Sequence, residues 1–563
     1  MPNYRLEYFK NDLISGITVA IMLIPQGMAY ALIAGLPPIY GLYAALTPQI
    51  VYAFLGTSKQ LAVGPVAMDS LLVAAGLGAL SIVGPSQYIQ MALLLALLMG
   101  VIQFLLGLLR MGFIVAFLSK PVISGFTSAA AIIIGLNQIK HILGISIPQS
   151  NKIHIFISLI INSQTQINFY ALAIGLISIL LLVVIKKCNS KIPSALVVVI
   201  ISIFYVSYAN YDQKGLAIVG EIPDGLPNFV FPFLEWDIIK SLLPISLTIA
   251  LVGFMEAISI AKSIEEKNKT DEINPNQELI ALGASNIIGS FFQSYPTSGG
   301  FSRTAVNNQS GAKTGVSALI SAIIVGVILS FFTDWFYYLP NAALGAIIIV
   351  AVTNLIDYKY IFGLYKERKD EFFVLIFTFI GTLFIGITEG ILFGIILSLL
   401  LLVYRTSKPH YAFLGRIGTT NYFKNIDRFP DEVVLRDDLI ILRFDAQLFF
   451  GNIQFFKNLI FDSINNSHKK VKGYIINART INYIDSTALE KLTEIIIELQ
   501  KKGIRVMVVG ATGPTRDMII KSKLIKVLKK GNLFITSGDA TDSFDGVRKK
   551  SPLQKKLSRQ TNK

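Results

Sequence analysis

The stretch Tyr295-Pro296-Thr297-Ser298-Gly299-Gly300-Phe301-Ser302-Arg303 breaks an otherwise apolar part of the chain with a proline, hydroxyls, paired glycines and an arginine. A comparable break, Ala62-Val63-Gly64-Pro65-Val66-Ala67-Met68, lies in the corresponding place of the first half. Irregular backbone at membrane depth is tolerated only where it is buried in protein or lines a cavity. Two such breaks in matching positions of two halves point to a transporter site. If each opens a half-helix near mid-membrane, the free N–H groups of residues 66–68 and 301–303 converge with the positive ends of both helix dipoles and form an anion site. Taken singly, either cluster reads rather as a kink of the kind common in membrane helices, and it is the matched pair that favours a site.

Outward from these breaks the chain is a membrane sequence. Of its 563 residues 53% are hydrophobic and 15% charged, with a mean hydropathy of +0.60, against roughly 45–50% apolar and 25% charged in soluble domains. A soluble enzyme is excluded for the chain as a whole. Segments near the roughly 20 residues needed to cross a bilayer fall at about 13–33, 40–55, 87–108, 114–136, 169–185 and 194–209, and again at 241–261, 277–292, 315–333, 342–362, 371–387 and 389–405. The two short segments that follow the breaks, 66–80 and 302–312, raise the count to fourteen, seven in each half, with the polar stretch 210–240 between. The residues before the first segment are polar and no small-residue cleavage site follows it, so that segment is expected to stay in the product.

Charge tests the count, because Lys and Arg collect on cytoplasmic connections. Fourteen passes with a cytoplasmic N-terminus put eighteen basic residues of 1–408 inside and four outside (Lys140, Lys152, Lys214 and Lys240), with Arg303 left within the membrane. The net charge of +15 suggests nucleic acid at first sight, but residues 1–408 hold only +3 of it and residues 409–563 the other +12. No nucleic-acid partner is expected. The lone Cys188 and four scattered histidines offer no disulfide and no metal set. His141 and His154 are expected in a solvated external connection. Gly311-Ala312-Lys313-Thr314 lacks the glycine spacing of a phosphate loop, so this chain should not be an ATP-driven pump.

Arg303 would sit on the first turn of the second half-helix, where only an anionic partner or water makes its burial tolerable, unless it snorkels to an interface. Glu256 lies in Leu243–Ile260, a run with no other charge. A carboxylate there is costly and functional by default. Beside Arg303 it could switch protonation as an anion enters and so couple proton and anion import, although a structural ion pair would look the same. Gln26, in Ile24-Pro25-Gln26-Gly27-Met28-Ala29-Tyr30, occupies a comparable place in the first helix and can donate to an anion without a charge of its own. Pro25 there could also be only a kink. Asp69, in the first turn of a half-helix, reads as a cap rather than a coupling-ion ligand.

After Lys408 the pattern becomes that of a soluble α/β domain, 409–544, with strands at Leu439–Phe444, Val471–Asn477 and Ile504–Val509 and an amphipathic helix at Ser486–Lys501. Residues 545–563 carry seven basic residues and one acid without apolar periodicity and are expected to be disordered.

Pro25-Gln26-Gly27-Met28-Ala29-Tyr30, Pro38-Ile39-Tyr40-Gly41-Leu42-Tyr43-Ala44-Ala45, Val63-Gly64-Pro65-Val66-Ala67 and Pro296-Thr297-Ser298-Gly299-Gly300-Phe301-Ser302-Arg303 resemble, in order, the signatures of the SulP family of sulfate permeases and related anion transporters. The tail is similar to STAS domains. The resemblance implies a polytopic α-helical membrane protein built as a seven-plus-seven inverted repeat (1–209 and 241–408), with a core domain, a gate domain and two half-helices, and usually a homodimer in the lipid of the plasma membrane, its N-terminus and STAS domain cytoplasmic. By position it places Gln26 and Tyr30 beside the anion, the amides of Val66, Ala67 and Met68 and of Phe301, Ser302 and Arg303 around it, and Glu256 as the proton-coupling acid. Sodium-coupled bicarbonate carriers of this kind tend to have Asp in place of this Glu and lack this Arg, so Glu256 with Arg303 leans toward proton-coupled sulfate over sodium-coupled bicarbonate or dicarboxylate. In Asn482-Tyr483-Ile484-Asp485-Ser486-Thr487-Ala488-Leu489, Asp485 reads as an N-cap. Thr487 matches the hydroxyl phosphorylated in related domains, with Ala488 in place of the usual Gly, although a docking role for the tail is favoured over phosphorylation. No cofactor and no enzymatic activity are expected. An anion-sensing membrane regulator working through the STAS domain is the alternative of another class.

Overall fold

The computed structural model describes residues 4–547 except 79, 81–83, 114–118, 146, 148–157, 159–166, 189–192, 233–234, 269–271, 419, 435 and 468. Most of the basic tail, together with His154, therefore lies outside the described residues. The chain divides into two units, 1–398 and 399–563.

In the first unit, the helices of the first half are α1 (Leu6–Ile33), α2 (Pro38–Ala44), α3 (Thr47–Leu55), α4 (Ala67–Gly78), α5 (Pro85–Leu108), α6 (Lys120–Leu143), α7 (Phe169–Cys188) and α8 (Ser194–Ala209). Those of the second half are α9 (Trp236–Asn268), α10 (Pro275–Phe291), α11 (Phe301–Gln309), α12 (Val316–Phe331), α13 (Asn341–Val352), α14 (Tyr358–Glu367), α15 (Lys369–Phe384) and α16 (Ile387–Ser407), whose last residues, from Leu399, belong to the second unit. With α2 and α3 sharing one pass and α14 set aside, the expected two sets of seven segments are all present. Among the described residues six helices are long and apolar enough to cross a membrane, and α4, α8, α12 and α13 are shorter apolar helices. Large apolar side chains stand exposed along α7 (Leu176, Leu180, Val183), α15 (Phe373, Phe377, Phe384) and α16 (Ile396, Leu400, Val403). Left in water each would forgo about 1.5–3 kcal/mol of burial, and a lipid surround removes that penalty.

Three expectations shift. In the segment expected at 114–136 the described helix starts at Lys120, after the non-helical Ser119 and with Pro121 in the opening turn, where a missing N–H costs nothing; residues 114–118 lie outside the described residues. The single segment at 342–362 is two helices, since Asp357 Oδ1 accepts from Tyr360 N at 3.0 Å and starts α14 as a separate amphipathic helix. His141 lies half-buried in the last turn of α6 rather than on a solvated connection.

The helices pack as two groups. α1–α5 contact α9–α12, while α6, α7, α8, α13 and α15 contact one another; between the groups α1 touches α8 and α13, and α4 touches α6. Small residues set the closest approach in the first group. A Cβ on Gly27 would come within 2.9 Å of the Gly41 carbonyl oxygen, and one on Gly41 would collide with the Gly27 carbonyl, which accounts for both glycines in the motifs around Gln26 and Tyr40. The polar stretch between the halves is pinned across helix ends, with Val219 N donating to Leu339 O at 2.8 Å and Val230 N to Phe291 O at 2.8 Å.

Two buried carboxylates clasp the first group. Glu278, at the start of α10, accepts from Tyr52 Oη and Thr57 N at 2.7 Å, from Thr57 Oγ1 at 2.5 Å and from Ser58 N at 3.1 Å. Asp12 accepts from Lys313 N at 2.7 Å and from Thr314 N at 3.1 Å. Buried donors left unpaired cost about 1–3 kcal/mol each. Glu278→Ala is therefore expected to lower the detergent melting temperature by several degrees, about 2–4 kcal/mol in stability. A melting curve unchanged from wild type would show the clasp to be idle.

The second unit is a six-stranded sheet in the order β4 (Phe423–Asn425), β3 (Tyr411–Arg416), β5 (Leu439–Phe444), β6 (Gly473–Asn477), β7 (Arg505–Val509) and β8 (Leu533–Phe534). β5 to β8 are parallel, and β3 runs antiparallel to both β4 and β5. The helices are α17 (Ile453–Asn465), α18 (Ser486–Lys501), α19 (Gly513–Lys521), α20 (Leu524–Leu528) and α21 (Ser537–Phe544). The helix expected at Ser486–Lys501 is α18, and Asp485 caps it by accepting from Ala488 N at 2.7 Å.

Candidate functional site

The two breaks meet. Val63–Gly64 (β1) pairs antiparallel with Ser298–Gly299 (β2), Val63 opposite Gly299 and Gly64 opposite Ser298. Each two-residue strand leads into a half-helix, α4 and α11. The pairing satisfies backbone groups that hydrocarbon could not, and it fixes the two helix starts side by side. Further bonds lock the crossing: Gly300 N to Ala62 O at 3.0 Å, Ala62 N to Thr304 Oγ1 at 3.0 Å, and Asn307 Nδ2 to Gln60 O at 2.9 Å. Behind it Asn286 on α10 holds Thr297, accepting from its N at 2.8 Å and donating to its O at 2.9 Å. Tyr295 Oη and Ser70 Oγ share a hydrogen bond of 3.0 Å between the halves.

Arg303 lies 1% exposed in this crossing. Its Nη1 donates to Pro65 O at 2.8 Å, tying the second break to the first, while Nε and Nη2 have no partner. A guanidinium has five donors in a fixed fork, so most of its capacity is left for an acceptor with several oxygens. Gly300 makes room for it, since a Cβ there would come within 2.5 Å of Nη2. Gly300→Ala should therefore displace the guanidinium and reduce anion uptake about tenfold, the effect of losing roughly one charged hydrogen bond. Unaltered uptake by that variant would show that the position of the fork is not critical.

The other expected residues fall as follows. Gln26 and Tyr30 on α1 are buried; Gln26 Oε1 has no partner, and Tyr30 is an electrostatic neighbour of Arg303 and Glu256. Val66, Ala67 and Met68 are buried at the opening of α4. Phe301 is 63% exposed and Ser302 is exposed, so the first two residues of α11 face open space while Arg303 points inward. Glu256, in the middle of α9, is half-buried and has an unpartnered Oε2. It and Arg303 are neighbours that do not satisfy each other. Thr487 is exposed in the first turn of α18, in the second unit.

Asp69 corrects the expectation of a cap. It is fully buried, and neither carboxylate oxygen accepts a hydrogen bond of ordinary geometry from its own helix. It lies instead against Ser298, whose Oγ is also unpartnered, with Arg303 and Glu256 as electrostatic neighbours. A signal was present: Asp69 is the one charged residue in Leu61–Leu109, the same isolation that singles out Glu256. Tyr295 and Asn286 carried no comparable mark.

The chain is similar to known proteins over nearly its whole length. The sequence profile of the sulfate permease family matches residues 9–378, and that of the STAS domain matches residues 432–540. The chain is 40% identical over 552 residues to Arabidopsis thaliana sulfate transporter 4.1, chloroplastic, covering 95% of this chain and 80% of that protein. It is 32% identical over 563 residues to Stylosanthes hamata high affinity sulfate transporter 2, covering 96% of this chain and 85% of that protein. Among solved structures, the murine solute carrier 26 family member A9 anion transporter in its inward-facing state superposes with a TM-score of 0.90 at 24% identity, covering 97% of this chain and 93% of that one. The likeness runs over nearly the whole of this chain. The chain belongs to the sulfate permease family.

Proposed function

We propose that this chain is a secondary active transporter of inorganic anions that takes up sulfate with protons by alternating access, and that it is not an enzyme. The observation that carries this is Arg303, buried where two half-helices open, with one donor bound to Pro65 O and its remaining fork unpartnered. In this reading the anion lies between Gln26 and Tyr30 on one side and the amides of Val66–Met68 and Phe301–Arg303 on the other, with the Ser302 hydroxyl as a further donor. Helix dipoles, amides and one arginine recognise charge and rough size. Glu256 takes the coupling proton, which lets a second negative charge enter a site that already holds a carboxyl. The group formed by α1–α5 and α9–α12 carries the site, and the group of α6–α8, α13 and α15 serves as the gate.

We place the transport domain at 1–408 and the STAS domain at 409–544, in a homodimer in the plasma membrane with the N-terminus and STAS domain cytoplasmic. A role for the STAS domain in docking a cytosolic partner is favoured over phosphorylation of Thr487. The similar chain whose name includes "chloroplastic" makes the choice of membrane a point for fluorescence localisation. Substrate is tested by labelled sulfate uptake in proteoliposomes challenged with bicarbonate, molybdate and dicarboxylates. Competition by selenate or molybdate stronger than by bicarbonate is expected for a tetrahedral oxyanion site. Saturable bicarbonate uptake that requires sodium and ignores sulfate would replace the reading with sodium-coupled bicarbonate transport.

A further inference from the structure

The crossing holds two carboxyl groups, and coupling through Glu256 uses one of them. Asp69 is 0% exposed, and neither of its oxygens has a hydrogen bond of ordinary geometry, Ser298 being the hydroxyl that lies against it. Gly253, about one turn before Glu256 on α9, brings that helix onto it: a Cβ there would lie 3.3 Å from Asp69 Oδ1 and 3.3 Å from Ser298 Cβ. The groups facing Asp69 come from every element around α4. α9 supplies Glu256, β2 and α11 supply Ser298 and Arg303, and Tyr295 is the neutral titratable neighbour, while Tyr30 of α1 lies beside Arg303 and Glu256. Met99 of α5 is apolar, and the charged groups of α6 fall in its first and last turns.

A buried carboxylate with no more than one neighbouring hydroxyl is costly, and one cation cannot compensate two of them together with a divalent anion. We infer that Asp69 carries a second coupling proton, so that each divalent anion crosses with two protons; the inference rests on the proton-coupled reading above. The charges balance. Empty, Arg303 and two carboxylates sum to one negative charge. Loaded, Arg303, two carboxylic acids and sulfate also sum to one negative charge, so the moving core carries the same charge both ways. Glu256 is half-buried and Asp69 fully buried, which makes Glu256 the entry point and Asp69 the inner proton site.

The test is the steady-state accumulation of labelled sulfate in proteoliposomes of the full chain, with the membrane potential clamped to zero. Two protons per anion give about 100-fold accumulation per unit of pH gradient, and Asp69→Asn reduces this to about tenfold, since one pH unit is worth tenfold for each proton carried. About tenfold in the wild type, or an unchanged 100-fold in the variant, overturns the inference while leaving proton coupling intact. A wild type that accumulates nothing under any pH gradient fails the proton-coupled reading, and the inference with it. Should Asp69→Asn not fold, the wild type still decides. At equal pH an interior-positive potential leaves two-proton transport unmoved, and sulfate accumulation driven by that potential overturns the inference.

Discussion

Arg303→Ala is expected to reduce sulfate uptake and sulfate binding by about 100-fold or more. Charged hydrogen bonds contribute about 1.5–3 kcal/mol each, and two lost from a buried oxyanion make that factor conservative. Arg303→Lys should recover little, because a single ammonium on a flexible stem cannot hold Pro65 O and also present a planar fork. Binding to purified protein separates this from misfolding, provided the melting temperature is followed alongside, since Pro65 O also loses its partner. An Arg303→Ala protein that is folded and binds sulfate within a factor of about three of wild type would remove the arginine from the site.

Glu256→Gln is expected to abolish the acceleration of uptake by an inward proton gradient while preserving exchange of external for internal sulfate. The amide keeps the shape and a hydrogen-bond donor but mimics a permanently protonated acid. A carrier locked in that form can bind and exchange the anion, yet it cannot release a proton on the return step. Because Glu256 is also the entry point to Asp69, both protons are lost, and the expected loss in gradient-driven accumulation is about 100-fold per pH unit. Persistence of full pH-driven accumulation in Glu256→Gln would assign coupling to another group. Comparison with Asp69→Asn then distinguishes the two carboxyls, because the variants remove protons from neighbouring but separate positions.

Much of this fold could be read from the chain because membrane insertion imposes strong local rules. Apolar length located the segments, and the matched Gly-Pro and Gly-Gly breaks marked the crossing that pairs Val63 with Gly299. Arg303 and Glu256 stood out because a charge in an apolar run has few reasons to be there. Asp69 was misread because a first-turn acid has an ordinary local explanation, and what removes that explanation is Ser298 and Gly253, both contributed by the other half of the chain. The Glu278 and Asp12 clasps were invisible for the same reason: their partners lie 220 to 302 residues away. The shifted start of α6 and the break between α13 and α14 had local signs in Pro121 and Asp357. Hydropathy averaged over a window hides such single-residue signals.

The most direct test of proton-coupled anion transport is initial labelled-sulfate uptake into sodium-free proteoliposomes of the wild-type chain, with and without an inward proton gradient. Faster uptake with the gradient, overshooting equilibrium and collapsing on addition of a protonophore, is the predicted result. Uptake that ignores the proton gradient and appears only when sodium is added would contradict it.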